Sequence, residues 1–376
     1  MVRSFFKKYN FMIPYSRQVI TSEDKKKVEK VLNSNFLTQG KLLNIFEKKL
    51  ASTVNAKFAT GFNSATSALH ISCLALGVKK GDIVWTCTNS FVASANCALY
   101  CGAKIDLIDI NNENFNINIF ELEKKLQISK KKNKLPKVLI PVHFGGFPCD
   151  MEKIYHLSKK YKFKIIEDAS HALGAIYKNE KIGSCKYSDI TVFSFHPVKI
   201  ITTAEGGAAL SNSKKLDEKL KLLRNHGITR NKGLLKKKNK LSWYYEFQEL
   251  GFNYRLNEIQ SVLGISQLKN LKKWIKYRNK LAKNYRENLN RLPIYMPQEK
   301  KGYYSSYHLF VILIEKNKKG LSRDNLFKLL KKNNIESNVH YIPIHSHPYF
   351  KKLGFKEKKF PIMNKYFNKC LSLPIH

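Results

Sequence analysis

The sequence lacks the long apolar run that a membrane-spanning helix requires, which is roughly 18 residues. Its first segment, MVRSFFKKYNFMIPYSRQ, carries charges where a secretory signal peptide has an apolar stretch. Both absences argue against a membrane-embedded or exported protein. We therefore expect a cytoplasmic protein without a membrane partner.

Paired cysteine motifs are also missing. The seven cysteines are an odd number and contain no CxxC pair, which fits a reducing compartment better than a disulfide framework. A metal site could use Cys97 and Cys101 with His143 as a third ligand. The segment CALYC is more typical of small core residues on one helix face, so we expect no metal.

Acidic residues are scarce. Against 68 Lys and Arg there are 28 Asp and Glu, a formal net charge of +40 that would suggest nucleic acid or an anionic membrane as a partner. The densest basic runs lie in polar, turn-like stretches without interleaved aromatics: SKKKNKLPK (129–137), NKGLLKKKNK (231–240) and EKNKKG (315–320). We interpret them as solvated loops and expect no nucleic-acid partner, although a DNA- or membrane-binding basic protein stays a remote alternative. A diffuse positive field would still attract a phosphate-bearing substrate.

Neither an internal repeat nor a GxGxxG motif is present, but a βα alternation is. From residue 55 to about 210, short apolar, β-branched runs each precede a loop or amphipathic segment: DIVWTCT, KIDLIDI, KVLIPVHF, FKIIED and DITVFSF. Such runs are typical of strands buried on both faces, so we predict an α/β fold with a mostly parallel sheet. Ligands bind at the carboxyl ends of such strands, where His143, Asp168, Ser194 and Lys199 fall.

The C-terminal third has a different pattern. A long helix is predicted from Asn257 to about Leu292, followed by two β-like segments, YHLFVILI and SNVHYIPI, with the helical stretch SRDNLFKLLKKNN between them. Since 376 residues exceed the about 250–300 that one core serves, we predict two domains. Their boundaries are 1–264 for a large domain with an N-terminal arm and 265–376 for a small α+β domain.

Lysine is scattered through most of the chain, but DITVFSFHPVKIITTAEGGAAL (189–210) contains only Lys199. A lone lysine among apolar residues and glycines predicts a poorly solvated amine. Desolvation lowers a lysine pKa from its reference of about 10.4 and yields a free amine that can form a Schiff base with a carbonyl.

The segment GFNSATSALHISCLALG predicts a helix that begins after Ser64 and ends at Gly77. The N–H groups of Ser64, Ala65, Thr66 and Ser67 and the helix dipole would bind an anion such as a phosphate. Ser194, at the end of another strand, would be a second phosphate donor. An ordinary N-cap and an ordinary turn serine remain open alternatives.

In IIEDASHALGA, Glu167 and Asp168 close a buried strand. If a pyridine ring lies over the strand end, Asp168 would keep its nitrogen protonated; the alternative is an N-cap for a following helix. Phe91 could stack on the ring or belong to the core. His171 could contact the phenolic oxygen of the ring or be a satisfied helix histidine.

A phosphate cradle, a strand-end carboxylate and an isolated lysine in this order describe a pyridoxal phosphate site. With these features the sequence resembles the DegT/StrS type of sugar-nucleotide aminotransferases. The resemblance covers nearly the whole chain through the following motifs: SRQ (16–18), LTQG (37–40), NSATSALH (63–70), NSFVASANCALYCGA (89–103), PVHFGGFPCDM (141–151), EDASHALGA (167–175), SDITVFSFHPVK (188–199), EGGA (205–208), LRNHGITR (223–230), WYYE (243–246), LGFNYRLNEIQ (250–260), YHLFV (307–311) and NVHYIPIH (338–345).

The resemblance implies an aspartate aminotransferase-like (type I) fold, a homodimer with shared active sites, and pyridoxal 5'-phosphate as cofactor. It implies Lys199 as the Schiff-base lysine and proton shuttle, and Asp168 on the ring nitrogen. The other implied cofactor contacts are Ser64, Ala65, Thr66, Phe91, His171, Ser194 and, from the second subunit, Asn253. The implied substrate-side residues are Arg224, His226, Arg230, His340 and Tyr341.

Within the family, the motifs most resemble those of members that aminate C4 of a UDP-linked 4-keto-6-deoxy-2-acetamido sugar for pseudaminic acid, with L-glutamate as donor. Alternatives are a 3-keto-sugar aminotransferase or another type I enzyme, such as an amino-acid decarboxylase. Dehydratase relatives that have histidine in place of the lysine are disfavoured because Lys199 is present.

Three departures from the family pattern stand out. Ala204 occupies a position where relatives usually have glycine, so we expect a strained or differently shaped turn. The segment IHSHPYF (344–350) differs next to the presumed sugar-nucleotide pocket, which leaves the sugar itself open. The chain stops at LSLPIH where relatives continue into a helix, so we expect a truncated sequence or a small domain without its last element.

Overall fold

The structure, a computed structural model, describes residues 11–237, 241–315 and 322–376. The helices are α1 Ser22–Leu32, α2 Leu42–Val54, α3 Ala65–Ala75, α4 Ala93–Tyr100, α5 Ile119–Lys131, α6 Met151–Tyr161, α7 Lys214–Arg224, α8 Glu258–Leu268, α9 Leu271–Leu289, α10 Arg323–Lys332, α11 Pro348–Lys352 and α12 Pro361–Phe367. The strands are β1 Phe58–Phe62, β2 Ile83–Cys87, β3 Lys104–Ile108, β4 Val138–Ile140, β5 Lys164–Asp168, β6 Ile176–Tyr177, β7 Glu180–Lys181, β8 Ile190–Ser194, β9 Gly207–Ser211, β10 Ile228–Thr229, β11 Glu246–Phe247, β12 Ile294–Tyr295, β13 Tyr303–Tyr304, β14 Phe310–Ile314 and β15 Cys370–Leu373.

The central sheet has seven strands in the order β1-β9-β8-β5-β4-β2-β3. The pairs from β8 through β5, β4 and β2 to β3 are all parallel, whereas β9 runs antiparallel to both β8 and β1. The predicted mostly parallel sheet is therefore confirmed. Strands such as Val138–Ile140 and Ile190–Ser194 are apolar and almost fully buried because helices cover both faces of the sheet.

The parallel strands end at one edge of the sheet, as the βα alternation requires. This edge receives the ends of β4, β5 and β8, and α3 begins beside it immediately after β1. Ser64 caps α3 by accepting a hydrogen bond from the N–H of Ser67 at 3.0 Å. The helix start predicted after Ser64 is thus confirmed.

A second, smaller sheet with the order β12-β14-β15 lies in the C-terminal third. The predicted strand in YHLFVILI is present as β14, and the predicted helix in SRDNLFKLLKKNN is present as α10. The predicted strand in SNVHYIPI is wrong: this segment makes a single bridge, from Asn338 to Ser372, and β14 pairs with the chain end at β15 instead. The segment carries His340 and Tyr341 towards the ends of the large-sheet strands.

The predicted long helix from Asn257 to Leu292 is interrupted between α8 and α9 at Lys269 and Asn270. The two helices pack against different parts of the protein, which explains the break. Helix α8 is apolar and packs against α1 and α2, whereas α9 carries exposed lysines and contributes Ala282 to the second core cluster with Phe310 and Leu371. A predicted domain boundary after residue 264 falls inside α8, and the division into two domains stays a prediction.

The lysine-rich stretches are only partly described. Residues 129–131 form the last turn of α5, and 132–137 form the loop before β4. The stretch 231–240 lies partly outside the described residues, and the stretch 315–320 lies largely outside them. In the three described ranges, no helix is both long and apolar enough to cross a membrane.

Candidate active site

Lys199 lies in a turn directly after β8, where its backbone N–H donates to the carbonyl of His196 at 2.9 Å. Burial lowers the pKa of its amine to about 8, and the nearby negative charge of Asp168 opposes this shift only in part. A large fraction of the amine is therefore neutral near pH 8. This is the poorly solvated lysine that the composition of the segment predicts.

Asp168 ends β5 and is 5% exposed. Its carboxylate accepts a hydrogen bond from the Ser94 hydroxyl at 2.5 Å and one from the N–H of Ser170 at 3.1 Å. Since the Ser94 proton is used in this way, Ser90 donates to Ser94 at 2.6 Å. The alternative role of Asp168 as a helix N-cap is wrong, because turns and not a helix follow it.

Three buried histidines surround the amine of Lys199: His171, His308 and His340. Burial is the main cause that holds the pKa of each imidazole below its ordinary value, to about 3 for His340, and the charge of Lys199 adds to it. All three rings are therefore neutral at physiological pH. The sequence predicted His171 and His340 as site residues but not His308, since nothing in YHLFV marks it as one.

His171 connects the end of β5 to the C-terminal third of the chain. Its Nδ1 accepts a hydrogen bond from the N–H of Gly145 at 3.2 Å, so in the neutral ring Nε2 carries the proton and donates to the Tyr341 hydroxyl at 3.1 Å. The Tyr341 hydroxyl then keeps its own proton available as a donor. His171 lies in a turn, so the alternative of a helix histidine is wrong.

The first turn of α3 lies against β9. The N–H groups of Ala65 and Thr66 have no partner within the helix, as at any helix N-terminus. A side chain at Gly207 would overlap the backbone of Ala65, so glycine is required for this close approach. The arrangement leaves these N–H groups and the helix dipole as a candidate site for an anion.

Comparisons with known proteins decide the family. The model of the DegT/DnrJ/EryC1/StrS aminotransferase family matches residues 18–376. The chain belongs to this family. The UDP-4-amino-4,6-dideoxy-N-acetyl-beta-L-altrosamine transaminase of Campylobacter jejuni is 39% identical over 97% of this chain and 93% of the relative.

Solved structures of this kind of aminotransferase have the same fold. Helicobacter pylori PseC, an aminotransferase involved in the biosynthesis of pseudoaminic acid, has a TM-score of 0.85 and 35% identity over 97% of this chain and 94% of its own. Spr1654 from Streptococcus pneumoniae, in its PLP-form and PMP-form, has TM-scores of 0.87 and 0.88 and 28% identity over 97% of this chain and 94% of its own. The predicted family, fold class, aminotransferase activity and pyridoxal phosphate cofactor are thereby confirmed.

Three further predicted site residues of the aminotransferase are partly or fully exposed. Phe91 is 59% exposed, which excludes the core alternative, and its ring centroid lies 6.3 Å from that of Tyr341. Ser194 ends β8, and its hydroxyl lies 3.5 Å from the N–H of His196. Asn253 is exposed and forms a bridge with Asn225.

The predicted substrate-side residues are not all in one place. His226 and Arg230 are exposed, with the guanidinium of Arg230 over the Tyr245 ring. Arg224 differs from them: it is buried, and its guanidinium pairs with Glu47 at 2.5 Å and donates to the carbonyl of Gly61 at 2.6 Å. These internal partners hold α7 to α2 and β1, and a substrate contact of Arg224 stays a prediction.

The alternative metal site does not assemble. Cys97 lies 3.8 Å from Cys73, whereas His143 bonds to Glu167 at 2.8 Å and accepts from the N–H of Cys149 at 3.0 Å. Among the residues in the described ranges, no group of three or more potential ligands is arranged to hold a metal.

Proposed function

We propose that this enzyme moves an amino group from L-glutamate to C4 of a UDP-linked 4-keto-6-deoxy-2-acetamido sugar, as a step towards pseudaminic acid. The observation that carries the proposal is the 39% identity, over nearly the whole of both chains, to the Campylobacter transaminase of that name. The likeness to PseC supports it independently at the level of structure.

The residues present fit pyridoxal phosphate. Among the described residues, two groups donate hydrogen bonds to the Asp168 carboxylate, so it has acceptor capacity left for a protonated ring nitrogen. His308 supports the fit, because its buried Nδ1 has no partner among the described residues. We assign Ser64, Ala65, Thr66 and Ser194 to the phosphate, and Phe91 and His171 to the ring. When bound, the cofactor supplies an electron sink and carries the amino group.

Lys199 is the proposed nucleophile and proton carrier. Its lowered pKa of about 8 provides a neutral amine that can attack the cofactor carbonyl. The same amine would also remove and return the proton at the carbon that gains or loses nitrogen. The neutral histidines around it add no positive charge that would compete with this role.

The sugar nucleotide would be held on the exposed side of the site. We assign the diphosphate to the exposed donors His226 and Arg230, because charge-assisted hydrogen bonds suit it. His340 and Tyr341 are the proposed contacts nearer the reacting carbon. The net charge of +40 favours the approach of an anionic substrate in general.

We further propose a homodimer with shared sites, in which the exposed Asn253 reaches the phosphate of the partner subunit's cofactor. Mixing an inactive Lys199→Ala chain with an inactive Asn253→Ala chain should restore activity in heterodimers, since one of the two sites then carries neither change. No recovery after subunit exchange has been demonstrated would contradict the shared site.

A cytoplasmic location stays a prediction. It is supported by the cysteines, all of which are free thiols in the structure, as in a reducing compartment. The enzyme's substrate classes, a nucleotide sugar and an amino acid, fit the same location.

The decisive assay offers the 4-keto and 3-keto isomers of the UDP-linked 2-acetamido-6-deoxy sugar with L-glutamate and identifies the product by NMR. We expect amination at C4 and slow reaction of the same sugar without UDP, because remote binding energy orients the ketone. Amination at C3 would favour the 3-keto alternative. Turnover of free amino acids alone would defeat the proposal.

A further inference from the structure

A cavity of about 250 Å³ adjoins Lys199 on the side of the N-terminal arm. Part of its wall comes from the SRQ motif, which has no role in the cofactor site described above. The lining residues are Arg17, Gln18, Val19, Lys199, Ile200, Thr202, Gln267, Trp274, Tyr277, Arg278 and His376.

The arm is held on both sides of Arg17, by the Lys199 turn before it and by α8 after it. Before Arg17, the Ser16 hydroxyl donates to the carbonyl of Val198 at 2.9 Å. After it, the Gln267 side-chain amide donates to the carbonyl of Val19 at 2.9 Å. Arg17 therefore directly follows a residue that contacts the segment carrying the reactive amine.

Among the described residues, the lining of the cavity includes the cations Arg17, Lys199 and Arg278 and no Asp or Glu. Arg17 is exposed, and its guanidinium makes no ion pair or hydrogen bond with the residues of the described ranges. Arg278 is buried and donates only to carbonyl oxygens, those of Tyr307, His308 and Ile375, so its charge is not neutralised. Such a cavity favours an anion.

The cavity has room for a small anion, since its volume lies below the about 300 Å³ at which pockets for drug-sized ligands start. A planar guanidinium without a partner matches a carboxylate, which it can bind through two hydrogen bonds. The side chains of Trp274 and Tyr277 offer apolar surface for the carbon chain between carboxylate groups.

We infer that this cavity is the binding site for the carboxylate group of the amino donor, and that Arg17 is the residue that pairs with it. The inference rests on the proposed function, since that reaction needs an amino acid besides a sugar nucleotide. A small, positively charged cavity that adjoins Lys199 then separates the donor's carboxylate from the larger nucleotide.

The test measures binding of glutarate, an unreactive dicarboxylate, to the cofactor-loaded enzyme by calorimetry. Arg17→Gln should weaken glutarate binding by about tenfold or more, as expected for loss of hydrogen bonds to a charged group, and Arg17→Lys should restore part of it. The matched control is Lys276→Gln, which removes an exposed positive charge from α9 outside the cavity and should change the affinity less than about twofold, as usual for a surface position.

Steady-state kinetics gives the second readout. Arg17→Gln should raise KM for L-glutamate by a similar factor and leave KM for the sugar nucleotide within about threefold, because only the donor's carboxylate loses its partner. Equal glutarate affinity in Arg17→Gln and the parent, no binding to the parent, or competition of glutarate with the sugar nucleotide alone would overturn the inference. If no UDP-linked keto sugar is aminated, the proposed function fails, while the glutarate titrations still decide the cavity.

Discussion

The two faces of the central sheet at β5 carry adjacent acidic residues with different surroundings. On one face, Glu167 is 4% exposed and accepts hydrogen bonds from His143 at 2.8 Å, from Thr191 at 3.0 Å and from Ser188. On the other, Asp168 accepts from Ser94 and from one backbone N–H, and it faces Lys199. Consecutive strand residues point to opposite faces.

The difference separates a structural carboxylate from a functional one. Burial raises the pKa of Glu167, but the hydrogen bonds and charge of His143 and the two hydroxyls outweigh burial and hold it below its ordinary value. Glu167 has its partners inside the protein. Asp168 keeps acceptor capacity and lies beside an amine, which is what a cofactor ring would use.

The largest effect is expected on the Asp168 face, from Lys199→Ala. Without the amine, turnover should fall about a thousandfold or more, since both the nucleophile and the proton carrier are lost. Visible absorbance of the attached cofactor and its fixation to the chain by borohydride should disappear. Lys214→Ala, at an exposed lysine on α7, is the control, and unchanged borohydride fixation in Lys199→Ala would refute the assignment.

Asp168→Asn should slow turnover by about a hundredfold, which corresponds to about 2.7 kcal/mol, while stability and most cofactor binding are kept. An amide cannot hold the ring nitrogen proton by charge. The measurements are kcat with both substrates saturating and thermal unfolding. A rate within about threefold of the parent would mean that Asp168 lacks the electrostatic role.

Glu167→Gln should affect stability and not turnover. It should lower the free energy of unfolding by about 3 kcal/mol, as for a broken buried pair, and preserve the activity per folded molecule. Because the folded-state pKa of Glu167 is lowered, its contribution is present above about pH 4.5 and is lost as pH falls through the folded-state value. Urea titrations should show that the difference in the free energy of unfolding between variant and parent is smaller below pH 4.5 than at pH 7. A constant difference would contradict the linkage.

The smallest effect concerns the turn from the Lys199 segment into β9. Ala204 has a φ of 66°, in the left-handed region, so the predicted strain at this departure from the family pattern is borne out by its backbone. Ala204→Gly should stabilise the protein by about 1 kcal/mol. Asn55→Gly, at the left-handed cap of α2, should gain only a few tenths because asparagine tolerates this conformation. Equal gains in the free energy of unfolding for Ala204→Gly and Asn55→Gly would mean that the unfolded state, and not strain at Ala204, causes the change.

Much of the architecture around the central sheet could be predicted because its signals are local. Apolar strands such as Ile190–Ser194 and the capped start of α3 follow from adjacent residues. The segment 337–344 could not be assigned correctly, since its apolar and aromatic residues pack around the site and not into a sheet. The break between α8 and α9 depends on two different packing surfaces, which no periodicity of one helix reveals.

The chain order of Ser64, Asp168 and Lys199 was enough to identify the chemistry, because a helix start, a strand end and an isolated lysine are each readable from their neighbours. Tertiary structure alone decided which polar groups meet. It paired Arg224 with Glu47, brought Ser94 to Asp168, and placed His308 beside His171 with ring centroids 4.4 Å apart. Such contacts join residues far apart in sequence, and whether a buried polar group serves structure or a ligand depends on whether the fold gives it an internal partner.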